Sequence, residues 1–347
     1  MYFVALRMLM GDTSKYIGII MGVTFAALIM TQQPSIFVGL MSRTFGFIND
    51  TRYPQLWVMD KKMQFVDDIK PIQDTQLLRV RGVEGVRWAV PMYKAILRAR
   101  TEGGNFENVI IVGLDDATLI GGPGKMVKGR LDDLRRSDAV IIDTEGVKKL
   151  STRTDAKGEV IPLDIGDSVE INDKRAVIVG IAEVSKTFQW LPMVYTTYTR
   201  GTNYSPAERL KLSFVLVGVR DEAPIEQVAE NITQHTGLMS LTNDQFSKMT
   251  LKYFMKKTGI PINFGISTLL GFLVGAAIAG QMFYNFTHDN LKQFAAIKAM
   301  GASTWMLVRM IILQAIFVGI TGWGLGVGLA AWFGYSMRKS VLAFKMI

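Results

Sequence analysis

The sequence predicts an α-helical membrane protein with a large α+β domain inserted between its first and second transmembrane helices. Three stretches are apolar over more than the roughly 20 residues that an α-helix needs to cross a bilayer. The first two are separated by roughly 215 residues in which strand-like alternation and amphipathic helical patterns follow one another between turn signals. Hydrophobic residues make up 49% and charged residues 20% of the 347-residue chain, which excludes disorder and suits a chain part in lipid and part in water.

Taken in order, "MYFVALRMLMGDTSKY" predicts a short interfacial amphipathic helix over residues 1–15, with Phe3, Leu6 and Met10 against lipid. Its length, the basic Arg7 and its continuation into a full span argue against a cleavable signal peptide. The first span covers residues 16–42, and Gln32, Gln33 and Pro34 predict a kink or functional break in its second half. The inserted domain follows over 43–250. "YPQLWVMD" alternates like a strand, and "DTQLLRVRGVEGV" reads as a short helix ending at glycine. Two strands then surround a Glu-Gly-Gly-Asn turn. A middle block at about 115–211 reads as an inserted subdomain: "DAVIIDTEGVKKL" is strand then helix, and a second pair of strands flanks Asn172-Asp173. "KLSFVLVGVRDEAPIEQVAENITQHTG" returns to the first unit as strand, turn and amphipathic helix. A helical stalk at 251–260 leads into the second span, 261–287; residues 288–304 form a separate helix, the third span covers 305–335, and an outer loop begins over 336–347.

The residue inventory removes most catalytic chemistry. With no cysteine, the chain has no disulfide, thiolate metal site or cysteine nucleophile. Two histidines, His235 and His288, do not make a histidine-rich metal site, and His288 reads as an interfacial polar residue. The net charge of +9 comes from scattered basic residues and selects no partner by itself. "GGPGKM" lacks the Walker spacing that cradles phosphates and reads as a surface loop. The pairs Asp67/Asp68, Asp115/Asp116 and Asp132/Asp133 read as solvated faces and caps, because adjacent carboxylates on a helix or strand point apart. Ser336 to Lys339 matches S-x-x-K without its companion motifs. No catalytic, cofactor-binding or metal-ligating residue is assigned.

Packing and contact surfaces are more informative. Gly271 and Gly275 on the second span are four apart, as are Gly322/Gly326 and Gly324/Gly328 on the third, so each pair allows close helix approach. The approaching helix is either one of the same chain or one from a partner or second copy. Gln32, Gln33 and Gln314 are the candidates for polar contacts inside the membrane. In "LKQFAAIKAMGAST", Lys292, Ala295, Ala296 and Ala299 share one nearly flat helix face, while Leu291, Phe294 and Ile297 lie elsewhere. Gly301 suits a left-handed C-cap, Ser303 or Thr304 can cap the next helix, and Trp305 sits at the interface.

"LKQFAAIKAMGAS" also resembles the cytoplasmic coupling segment of MacB/FtsX-type ABC transporter permeases (the type VII ABC superfamily), in which a motif ending Lys-Ala-x-Gly-Ala follows the second span. Its Phe-Ala and "IKAMGAS" versions resemble the DevC-like branch. "IGDSVEINDKRAVIVGIAE" is similar to strands of that family's periplasmic domain, and the layout agrees over essentially the whole chain. The resemblance implies a non-catalytic, multi-pass permease subunit of the bacterial inner membrane whose large domain is extracytoplasmic. It implies an ATPase-coupling contact at Lys292, Ala295, Ala296, Lys298, Ala299 and Gly301. It further implies a homodimer with two copies of a separate ABC ATPase that binds ATP and magnesium, no cofactor in this chain, and a membrane-fusion adaptor and outer-membrane channel in a tripartite efflux system. Other readings are an FtsX-like signalling permease that activates a cell-wall hydrolase, and a lipoprotein-releasing permease with a lateral opening near Pro34. Members of the family carry four spans, so a fourth is expected beyond "SMRKSVLAFKMI". Charge counting leans the other way. Arg7, Lys15, Lys292, Lys298 and Arg309 flank the implied inner side, whereas Arg43, Arg52, Lys252, Lys256, Lys257, Arg338 and Lys339 flank the outer side, which alone would predict a tethered sensor with an inboard domain.

Overall fold

A computed structural model describes residues 2–101, 103–206, 211–337 and 344–345. Arg338 and Lys339 of the S-x-x-K match, and most of the expected outer loop, lie outside the described residues. The chain divides into two compact units, residues 1–40 with 258–347, and residues 41–257. In chain order, α1 (Tyr2–Gly11), α2 (Thr13–Arg43) and α3 (Gly46–Asp50) precede β1 (Leu56–Met59), α4 (Thr75–Arg81), β2 (Val86–Arg100), β3 (Phe106–Leu114) and β4 (Lys125–Lys128). A 3-10 turn at Leu131–Arg135 leads to β5 (Ala139–Asp143), α5 (Gly146–Lys149), β6 (Ser168–Ile171), β7 (Lys174–Glu183), β8 (Met193–Thr197) and α6 (Tyr198–Tyr204). The chain continues through β9 (Phe214–Val219), α7 (Ile225–Thr236), β10 (Met239–Thr242), α8 (Asn243–Lys257), α9 (Ile260–Asp289), α10 (Leu291–Ala299) and α11 (Thr304–Ser336).

The α+β unit is organised by one strand. β2 spans 15 residues, about 50 Å at roughly 3.3 Å per residue, long enough to serve two sheets. Up to Met92 it pairs with β9, in the antiparallel order β10-β1-β9-β2. From Tyr93 onward it pairs with β3, opening the order β2-β3-β8-β5-β7-β4. The second sheet therefore begins inside β2, and the expected subdomain boundary near residue 115 moves back to about residue 93. β3 belongs with the middle block because it pairs with β2 over Phe106–Gly113 and with β8 over Ile110–Leu114.

β1 alternates, but between two cores. Leu56 and Val58 enter a cluster with Val80, Val228 and Ile232 beneath α4 and α7. Trp57 and Met59 enter the main core with Phe47, Phe214 and Phe246. All four are buried because the strand is covered on both faces. The Trp57 indole donates to Asn243 Oδ1 at 2.6 Å and meets Phe214 edge-on at 5.2 Å between ring centroids. This satisfies its polar edge inside the core. Asn172 and Asp173 both take positive φ, 49° and 63°, as a two-residue hairpin between β6 and β7 requires. "GGPGKM" is not wholly loop: its Lys125 opens the short strand β4, which pairs with β7 and ion-pairs there with Glu183. Asp67 is also not a solvated carboxylate. It pairs with the buried Lys94, whose ammonium also lies 4.8 Å from the Phe47 ring. Asp115 and Asp133 do act as turn caps, accepting from the backbone N–H groups of Thr118 and Arg130 at 2.9 Å each.

In the other unit, α2, α9 and α11 are each long and apolar enough to cross a membrane, at 31, 30 and 33 residues. Where a kink or functional break is expected at Gln32, Gln33 and Pro34, α2 stays helical, with Pro34 inside it. Ser35 Oγ donates to the Thr31 carbonyl at 2.7 Å, a side-chain bond in the turn that proline leaves one N–H short. Nor does the stalk helix run directly into the second span. α8 ends at Lys257, and Thr258 and Gly259 separate it from α9.

Asp143 is the buried acid that joins the second sheet's layers. Its Oδ1 accepts from Gly146 N–H at 3.2 Å and Met193 N–H at 2.9 Å, tying β5 to the start of α5 and to β8. Burial pushes its carboxyl up to about 6, against the lowering effect of those backbone donors. Because the folded value exceeds the unfolded one, near 3.8, the associated stability is fully present below about pH 4 and is lost as pH rises through about 6. Asp143→Asn keeps the Oδ1 acceptor and cannot ionise. Its stability relative to the parent should therefore rise by up to about 3 kcal/mol between pH 4 and pH 7.5. Urea unfolding at the two pH values measures this, and a difference independent of pH would refute it.

Candidate coupling interface

The segment between α9 and α11 is held at both ends. At its start, Asn290 is buried and its side-chain amide donates to the Phe286 carbonyl at 2.8 Å. At its end, Gly301 takes φ +97°. Gly301 N–H bonds the Lys298 carbonyl at 3.0 Å and Ala302 N–H bonds the Ile297 carbonyl at 3.3 Å. That pair of bonds is the Schellman motif, and a side chain at position 301 would be strained in this backbone conformation. Ser303 Oγ then accepts from Met306 N–H at 3.3 Å and starts α11. The helix itself spans Leu291–Ala299, shorter than the expected 288–304: His288 and Asp289 belong to α9, Thr304 opens α11, and Asn290 and the residues from Met300 to Ser303 form the caps and turns between.

Burial sorts the faces of α10. Phe294 and Ile297 pack with Ala5 of α1 and Met310 of α11. Leu291, grouped with them from its spacing, is instead 51% exposed. Lys292, Ala295, Ala296, Lys298, Ala299 and Gly301 are all exposed. The result is a short, rigidly capped helix that presents a small-residue face carrying Lys292 and edged by Lys298.

The N-terminal helix belongs to the same assembly, which its amphipathic pattern alone did not reveal. Phe3 and Met10 are exposed, as a lipid-facing edge requires. Ala5 and Leu9, four residues apart, are fully buried and enter clusters with α10, α11 and the α9 residue Phe286. Gln314 on α11 donates through Nε2 to the Ala5 carbonyl at 2.7 Å. The i, i+4 spacing of Ala5 and Leu9 was the available signal; the carbonyl partner of Gln314 had none. Asp12 accepts from Lys15 N–H at 3.3 Å at the start of α2. Lys15 Nζ bridges Asp12 at 2.8 Å and Asp289 at 2.7 Å. The side-chain bond from Lys15 holds the Asp12 carboxyl below its ordinary value. His288 lies 3.8 Å from Asp289.

The glycines divide into two groups. A Cβ at Gly271 would meet Ile29 at 2.5 Å and one at Gly275 would meet Ala26 at 2.0 Å, so α9 approaches α2 at these positions. A Cβ at Gly322 would meet Val23 at 2.7 Å, and one at Gly326 would meet Thr24 O and Ala27 Cβ at 2.6 Å, so α11 approaches α2 as well. Among the described residues, Gly324 and Gly328 have nothing within 4 Å of the Cβ position and lie on an uncovered face of α11. Gln32 and Gln33 are half-buried, and Gln314 is fully buried.

Comparison with known proteins gives two adjoining matches. Residues 16–235 match the MacB-like periplasmic core domain, and residues 247–347 match the FtsX-like permease C-terminal domain. An uncharacterized ABC transporter permease of Methanocaldococcus jannaschii is 24% identical over 203 residues, which are 53% of this chain and 50% of the relative. One from Mycobacterium tuberculosis is 24% identical over 266 residues, 75% of this chain and 65% of the relative. The chain thus spans between half and about two thirds of the length of these relatives. Among solved structures, the periplasmic region of MacB from Actinobacillus actinomycetemcomitans is 17% identical with a TM-score of 0.40, covering 61% of this chain and 96% of that one. The extracellular domain of the noncanonic ABC-type transporter YknZ from Gram-positive bacteria is 15% identical with a TM-score of 0.37, covering 55% and 99%.

The glycine geometry predicts an asymmetric mutational response. Gly275→Val and Gly326→Val should each lower the stability of the detergent-solubilised chain by about 1–3 kcal/mol through overpacking. Gly324→Ala and Gly328→Ala should leave it unchanged or slightly raised, since they add only helix propensity. Thermal unfolding of the four variants tests the division, and equal losses at all four positions would contradict it.

Proposed function

This chain belongs to the MacB/FtsX family of ABC transporter permeases, and we propose that it is the membrane subunit of an ATP-driven exporter that couples hydrolysis in a separate ATPase to movement of its extracytoplasmic domain. The geometry of α10 carries this reading: both ends are capped, Phe294 and Ile297 fasten it to α1 and α11, and its small-residue face is left open. A load applied to that face passes through Met310 into α11 without first deforming the helix, because the buried side chains are already close-packed. ATP and magnesium are bound by the ATPase, and this chain supplies contact rather than catalysis. The work is done outside the membrane, through the stalk helix α8, in place of alternating access through a central pore.

A homodimer completes the assembly. The uncovered Gly324/Gly328 face of α11 supports this, as small residues four apart admit a helix from a second copy. An adaptor of the membrane-fusion type and an outer-membrane channel extend the route across the envelope, by analogy with the MacB and DevC branches.

The chain contains no cysteine, so single cysteines test its sidedness directly. Lys157→Cys, on an exposed loop of the large domain, should react in intact cells with a membrane-impermeant maleimide, after outer-membrane permeabilisation where one is present. Lys298→Cys on α10 should be protected until the membrane is opened. The reverse pattern would end the exporter reading and favour an inboard sensor domain. With correct sidedness, Ala295→Trp adds bulk to the open face and should weaken ATPase association about tenfold or more. Unchanged association would remove α10 from the contact.

A further inference from the structure

A groove of about 750 Å³ runs between α1 and α10. Val4, Met8 and Gly11 line it from α1, and Gln293 and Ala296 line it from α10. Arg7, and the Lys15 ion pairs with Asp12 and Asp289, also border it.

The helical repeat of α1 separates this wall from its other two surfaces. At 100° per residue, Ala5 and Leu9 point to the packed side, and Phe3, Leu6 and Met10 to a second side. Val4, Met8 and Gly11 fall on a third side. The groove wall is therefore distinct from the edge suited to lipid. On α10, Ala296 belongs both to the groove and to the flat face formed with Lys292, Ala295 and Ala299. The groove is a continuation of the proposed coupling face.

Charge selects the occupant. The groove's own charges balance, Arg7 and Lys15 against Asp12 and Asp289, and Val4, Met8 and Ala296 give it apolar walls. Anionic lipid headgroups are drawn to clusters of unbalanced basic residues, which this lining does not offer. The adjoining α10 surface carries Lys292, about 40° around the helix from Ala296, and this lysine forms no ion pair among the described residues. An apolar side chain with acidic neighbours on a protein segment matches this combination. We infer that the groove between α1 and α10 receives such a segment of the ATPase subunit, so that the N-terminal helix forms half of the docking site. The inference rests on the exporter reading above, which assigns the α10 face to the ATPase. It adds a second contact. Because Gln314 holds the Ala5 carbonyl, a load on α1 reaches α11 by a route independent of Met310.

Site-specific photocrosslinking in cells producing the full chain tests it. Benzoylphenylalanine is placed singly at Met8, at Gln293 and at Phe3, and adducts are identified by peptide mass spectrometry. The expected result is that positions 8 and 293 both capture a protein carrying the G-x-x-x-x-G-K-[ST] motif, while position 3 captures lipid. Val4→Asp, which alters the groove wall without touching Ala5 or Leu9, should reduce the position-293 adduct about fivefold or more with membrane insertion unchanged. Capture of the ATPase at 293 but only of lipid at 8 would overturn the docking role of α1 and leave the coupling role of α10 intact. No ATPase adduct at either position would overturn both.

Discussion

The membrane unit depends on how closely α2 can approach two other helices at once. In lipid, backbone polar groups must be satisfied within each helix, and helices then associate by packing rather than by escaping water. Here α2 supplies Ala26 and Ile29 to the glycines of α9, and Val23, Thr24 and Ala27 to those of α11. Each approach exists because a Cβ is missing: at Gly275 and Gly326 an added carbon would lie 2.0 Å and 2.6 Å from its neighbours. The unbroken course of α2 through Pro34 belongs to the same constraint, since an interruption would expose backbone groups where no water can reach them.

On that three-helix frame, α1 and α10 form a compact pair of short helices. Their buried residues, Ala5, Leu9, Phe294 and Ile297, are few, so caps and polar bonds do much of the positioning. The Schellman motif at Gly301, the Ser303 cap and the Asn290 amide act locally, and the Gln314 amide ties α11 to the Ala5 carbonyl of α1. The α+β unit uses a different solution to a similar need. One long strand, β2, belongs to two sheets, and buried polar partners such as Asn243 for Trp57 and two backbone N–H groups for Asp143 secure the layers around it.

Much of this was legible in the sequence because it depends on local pattern. The three spans announce themselves by length and apolarity. The turn at Asn172-Asp173 and the caps at Gly301 and Ser303 are side-chain chemistry acting over three to five residues. The flat face of Lys292, Ala295, Ala296 and Ala299 follows from the 3.6-residue repeat alone.

Tertiary structure decided what local pattern leaves open. Glycines four apart specify close approach but not the approaching helix: Gly322/Gly326 meet α2, whereas Gly324/Gly328, only two residues further along, meet nothing among the described residues. The partners of β2 change at Met92–Tyr93 with no break in the strand to mark it. The bond from Gln314 to Ala5 joins residues 309 apart, and the partner of Lys15 across from α2 is Asp289. The sequence by itself determined which segments are helices, strands and membrane spans, because those depend on side-chain periodicity and backbone chemistry within a few residues. Only the fold decided which surfaces are covered and which remain open for contact, because burial is a property of neighbours that the chain brings together from far apart.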